Sequence, residues 1–130
     1  MEYNEITKPS DIIIKDISEN LPEINIVKGL ATCIGDEDFY VELFTDFVNL
    51  DIKEQLNRFL NENDHDNYCI RIHGFKNNAY SVGAMELGDL SYEMEKLSRE
   101  SLPDEIRTLQ NSFTKKYDRI CTCFRQIAQD

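Results

Sequence analysis

Tryptophan is absent from this 130-residue chain, and proline, glycine, histidine and cysteine are scarce: three, five, two and four residues. Proline is confined to Pro9, Pro22 and Pro103, so long stretches carry nothing that would break a helix. Alternating apolar and polar runs are also rare, which argues against a sheet domain. No apolar run approaches the roughly 18 residues that a transmembrane helix needs. The opening Met1-Glu2-Tyr3-Asn4-Glu5 is acidic and polar. It lacks the basic start and apolar run of a secretory signal, so a cytoplasmic location is expected. Basic residues are outnumbered, 14 Lys and Arg against 25 Asp and Glu, for a net charge of −11. A surface of that sign repels nucleic acid and anionic membranes, so neither is an expected partner. Cys33, Cys69, Cys121 and Cys123 have no zinc-site spacing. They are expected to be reduced, mostly buried thiols within helical stretches, with no metal site.

What the chain does have is helical periodicity. Hydrophobic residues make up 41% and charged residues 30%, a globular balance in a chain of single-domain length. Residues 1–20 read as a lead-in in which Ile12, Ile13, Ile14 and Ile17 pack on the body. After Pro22, Asn25 is a plausible cap for a short helix containing Ile26, Val27, Leu30, Ala31 and Ile34, stopped by Gly35. Asp36 should cap the next helix, which carries Tyr40, Leu43, Phe44 and Phe47. Its register slips near Leu50 and Ile52 and resumes at Leu56, Phe59 and Leu60. A further helix starts near Asp64, with the stripe Tyr68, Ile72, Phe75, Ala79 and Val82, and ends or kinks at Gly83. The following helix carries Leu87, Leu90, Met94 and Leu97, up to about Ser101. The last opens at Pro103 and runs through Ile106, Leu109, Phe113, Tyr117, Ile120, Phe124 and Ile127. Such stripes cannot be buried alone. The expected fold is all-α: an antiparallel four-helix bundle, up-down-up-down, with short additional N-terminal helices and one domain over residues 21–130.

On a helical wheel His73 falls about 140° from the centre of its stripe, on the solvent side. Lys76 stands one turn later, with Asn77 beside it, and Cys69 and Ile70 stand one turn earlier. An exposed imidazole can attack a phosphoryl group. A lysine one turn away can stabilise the charge that the ring then carries. Gly74 leaves space beside the ring, and an exposed Ile70 suggests a docking patch. By the same spacing, His65 has no following lysine and reads as a surface or capping residue.

The segment His73-Gly74-Phe75-Lys76-Asn77-Asn78-Ala79-Tyr80-Ser81-Val82-Gly83-Ala84 resembles the signature of the histidine-containing phosphotransfer (HPt) family. His73, Phe75, Lys76, Ala79, Val82, Gly83 and Ala84 match that signature. Asn77 and Asn78 depart from it, standing where the family favours Gly and a small residue. The Asn77 amide could donate to a phosphoryl oxygen. Leu87, Leu90 and Met94-Glu95 continue the similarity, as do Leu21 through Leu30 and Asp36 through Leu43, so it covers about residues 21 to 125.

The resemblance implies a phosphocarrier of a two-component phosphorelay. His73 would accept a phosphoryl group from the aspartate of a response-regulator receiver domain and pass it to another receiver. Hybrid sensor histidine kinases are implied as further partners. Mg²⁺ would be held by the receiver, and no cofactor by this chain. No Gly-rich nucleotide loop is visible, so the chain reads as a transfer intermediate and not an autonomous kinase. Lys76 would stabilise the phosphoryl charge, and Cys69, Ile70, Gly74 and Tyr80 would line the docking face. Glu95 would either orient the imidazole or form a surface pair with Arg99, four residues on. Two other readings remain open: a receiver-docking bundle that does not turn over phosphate, and the phosphoacceptor domain of a chemotaxis-type kinase.

Overall fold

The computed structural model describes residues 7–129. The first six residues of the expected lead-in, and Asp130, lie outside the described residues. Seven helices follow in order: α1 (Ser10–Asn20), α2 (Ile26–Thr32), α3 (Glu37–Val48), α4 (Ile52–Asn61), α5 (His65–Val82), α6 (Met85–Arg99) and α7 (Pro103–Gln129). Among the described residues there is no strand, only an isolated bridge between Ile24 and Ala84. The protein is all-α, and none of these helices is long and apolar enough to cross a membrane.

Local chemistry sets most of the boundaries. The Asn25, Asp36 and Asp64 side chains accept from the backbone N–H of Lys28, Phe39 and Asn67 at 3.0, 3.0 and 3.2 Å. Each satisfies a donor that its helix leaves unpaired. Gly83 ends α5 in the left-handed region, at φ 90°. Its carbonyl accepts from Asn25 N–H at 2.8 Å, and a Cβ there would run into the Asn25 backbone. The start of α2 is thereby fastened to the end of α5.

Three expectations need correction. Ile34 is not part of α2: the helix ends at Thr32, and Ile34 is 95% exposed at φ 55°. The chain turns left-handed there, so that Gly35 N–H closes on the Leu30 carbonyl at 2.8 Å. Cys33, just past the helix, takes the buried place instead. Cys121 is also buried, but Cys69 and Cys123 are only half-buried. The third correction concerns α6, which buries Leu87, Gly88, Ser91, Met94, Glu95 and Ser98, while Leu90 and Leu97 are only partly covered. Small residues face α5: the Tyr80 ring lies where a Cβ of Gly88 would stand. That close approach rotates the helix and carries Glu95 inward. Ser91 and Ser98 donate to carbonyls of their own helix, Leu87 at 2.8 Å and Glu95 at 2.7 Å, so their burial leaves no hydroxyl unpaired.

The register slip near Leu50 is a break between α3 and α4. The carbonyls freed at the end of α3 are met from α7. Tyr117 Oη donates to Phe47 O at 2.6 Å, and Arg125 donates to Val48 O at 2.8 Å. Phe75 of α5 ties the interior together: its ring lies 5.3 Å from Phe47, 5.1 Å from Phe113 and 5.3 Å from Tyr117. Six helices contribute buried side chains to this one core. α2 adds the partly buried Ile26 and Leu30. α5 packs on α2, α3, α4 and α6, and α6 also on α7.

Candidate functional site

His73 lies midway along α5, two residues before Phe75. Phe75 is fully buried, which pins that turn of the helix and turns the imidazole outward, 53% exposed. Across the α5–α6 seam stands Glu95, whose side chain is only 1% exposed. Its Oε2 lies 2.8 Å from His73 Nδ1. Its Oε1 accepts from Lys76 Nζ at 2.8 Å. Arg99 Nη2 also reaches Oε2. The two alternatives for Glu95, imidazole partner or Arg99 pair, are therefore realised together.

Electrostatics decide the proton on the ring. Burial by itself would raise the Glu95 carboxyl, but hydrogen bonds from Lys76 and His73, and their charges, outweigh it and hold the group below its ordinary range. An ionised carboxylate can only accept. The His73 Nδ1 must therefore carry the proton given to Oε2, and in the neutral ring Nε2 keeps the lone pair. Among the described residues, no protein group bonds Nε2. Lys76 Nζ lies 3.4 Å from Nδ1, so these are two donors gathered by one carboxylate. The ammonium also sits 5.4 Å from the centre of the Tyr92 ring.

Other candidates stand apart from this group. Ile70, one turn before His73, is 69% exposed, and Cys69 beside it is half-buried. A Cβ at Gly74 would meet open space. The Asn77 side chain is exposed and joins none of these contacts; its carbonyl accepts from Ser81 Oγ at 2.8 Å. Tyr80 turns to α6, where its hydroxyl donates to Asp89 at 2.6 Å. Burial first, and then that bond and the Asp89 charge, push the phenol up to about 12. His65, half-buried, is the first residue of α5.

Sequence reasoning offered Glu95 on the imidazole and Glu95 with Arg99 as alternatives, but not both bonds at once, nor Tyr92 beside Lys76. The Glu95–Arg99 spacing of four was visible, but nothing local says that the pair faces α5.

Compared with protein-family models, curated proteins and solved structures, the chain finds no significant match.

Proposed function

We propose that this protein is a phosphocarrier, taking a phosphoryl group on His73 from a receiver-domain aspartate and returning it to another receiver. The observation that carries the reading is the imidazole itself. It is half-exposed, its Nδ1–H is held by a buried, ionised Glu95, and its Nε2 has no protein partner among the described residues, with the Lys76 ammonium one turn away. Orientation of this kind fixes the tautomer and presents one nitrogen as the nucleophile. The Nε2 lone pair attacks phosphorus as the P–O bond to the donor aspartate breaks, and the aspartate leaves with that electron pair. No proton has to move. The ring becomes cationic, and the Nδ1–H stays on the Glu95 carboxylate, which stabilises the charge. The reverse steps deliver the group to the next receiver.

The partners in this reading are response-regulator receivers, including those of hybrid sensor kinases, and they supply the Mg²⁺. Ile70, exposed beside His73, provides apolar docking surface, and a cytoplasmic location follows from the partnership. We further infer an up-down-up-down bundle in which α3 and α4 together make one member. In support, packing contacts run from α4 to α5, α5 to α6, α6 to α7 and α7 back to α3, closing a ring of four. Incubation with a phosphorylated receiver is the test. An acid-labile, base-stable label should appear and be lost in His73→Gln; absence of label with several cognate receivers rules the reading out.

A further inference from the structure

Glu95 is shared more widely than orienting an imidazole requires. Lys76 occupies Oε1 at 2.8 Å, while His73 and Arg99 share Oε2. The two permanent cations differ in where they come from. Arg99 lies four residues from Glu95 on α6 and moves with it. Lys76 lies on α5, three residues from His73, and reaches across the seam. In the resting site the ammonium is therefore engaged by Glu95 and not by anything at Nε2. An arriving phosphoryl group brings negative charge to Nε2 and competes for that ammonium. If Lys76 left and Arg99 were absent, a carboxylate only 1% exposed would face only an imidazole that stays neutral until the P–N bond forms, a costly state that ends in protonation or displacement. Either outcome would release Nδ1 before the ring's own charge could hold Glu95.

Resting on the phosphocarrier reading, we propose that Arg99 is a positioning residue: it stays on Glu95 as the retained counter-charge, so that Lys76 is free to pass to the phosphoryl group while Glu95 keeps hold of Nδ1. The bonds made and broken are those of the transfer step above. Arg99 itself touches neither phosphorus nor the ring. Its 58% exposure does not weaken the role, because only its guanidinium edge on Oε2 is needed.

Two experiments test the proposal. The first needs no phosphate: the imidazole ¹⁵N shifts of His73 report which nitrogen carries the proton. Lys76→Ala imitates the departure of the ammonium and should retain the wild-type Nδ1–H pattern. Lys76→Ala with Arg99→Ala should move toward a mixture of tautomers, and Lys76→Ala with Arg99→Lys should recover most of the pattern. Loss of the pattern in Lys76→Ala alone, or its retention in the double alanine variant, overturns the holding role. The second experiment measures transfer from a phosphorylated receiver. Arg99→Ala should slow it about tenfold, yet change it less than about twofold in a Glu95→Gln background, since a neutral amide needs no counter-charge. A wild-type rate in Arg99→Ala overturns the proposal. So does an equal loss in both backgrounds, which would place Arg99 directly on the receiver. A wild-type chain that takes no label defeats the phosphocarrier reading, and with it the release of Lys76. The imidazole spectra decide the holding role independently.

Discussion

Adding a single methyl group at Gly74 and at Gly88 probes the two sides of the α5–α6 seam with the same chemistry and opposite expected signs. Gly74 lies in the middle of the 18-residue α5, immediately after His73, and a Cβ there meets no atom within 4 Å. Glycine inside a helix costs about 1 kcal/mol relative to alanine. With no contact to oppose it, Gly74→Ala should stabilise the fold by about 0.5–1 kcal/mol, a rise of about 2–5 °C in Tm for a domain of this size. At Gly88 the new Cβ would enter the Tyr80 ring. That ring cannot swing aside without breaking the 2.6 Å bond from its hydroxyl to Asp89. Gly88→Ala should therefore destabilise by about 1–3 kcal/mol despite its better helix propensity. Urea unfolding followed by circular dichroism measures both, with unchanged m-values showing that the denatured states are comparable. A destabilised Gly74→Ala would mean that the space beside His73 is filled, and a stabilised Gly88→Ala would mean that the helices lie further apart than described. Either result refutes the packing argument. The first variant also carries a functional outcome. If the gap beside the imidazole admits a partner's backbone, Gly74→Ala should transfer phosphate more slowly while melting higher; an unchanged rate would remove Gly74 from the docking surface.

The remaining predictions concern the core and the charges. Phe75→Ala removes the ring that meets Phe47, Phe113 and Tyr117 and should cost about 3–5 kcal/mol; a surface-like change in urea midpoint would contradict its burial. Lys76→Ala should leave the helical signal intact and slow transfer at least about tenfold, whereas an unchanged rate would make the ammonium incidental. Glu95 titrates below its ordinary value of 4.5 in the folded chain. Its contribution to stability should therefore be complete above about pH 4.5 and disappear as the pH falls through the lower folded value. Urea midpoints between pH 7 and pH 3 should show that loss in the wild type, and Glu95→Gln should flatten it; identical slopes would mean that the carboxylate is not held by its cations.

Capping was legible because it is local. Asn25, Asp36 and Asp64 each bond a backbone N–H three residues away, so the residue type alone announces the helix start. The α5 stripe was equally plain, since Tyr68, Ile72, Phe75, Ala79 and Val82 are all buried. The face of α6 was not legible. Its rotation depends on Gly88 meeting Tyr80, a contact between helices that no periodicity within α6 can express. Periodicity alone therefore gives Leu90 and Leu97 a burial that Ser91, Glu95 and Ser98 take instead. Ile34 misled for a related reason: an apolar residue normally counts toward a stripe, but here the left-handed turn leaves it 95% exposed. The same division runs through the site. His73 and Lys76 share a helix and a face, and their proximity follows from spacing. Glu95 lies 22 residues on, and its arrival at the imidazole, with Arg99 bonded to it, is a product of tertiary packing.

The ring and the ammonium belong to α5, and the carboxylate that gathers them belongs to α6. The proposed chemistry at Nε2 and the cohesion of the two helices would consequently be drawn from one set of bonds, and reciprocity would apply to them. Whatever Glu95 contributes to holding a charge on the ring, a charge on the ring contributes to holding α6 against α5. A change in occupancy at Nε2 should then be readable far from the imidazole, as altered hydrogen-exchange protection along the backbone of both helices.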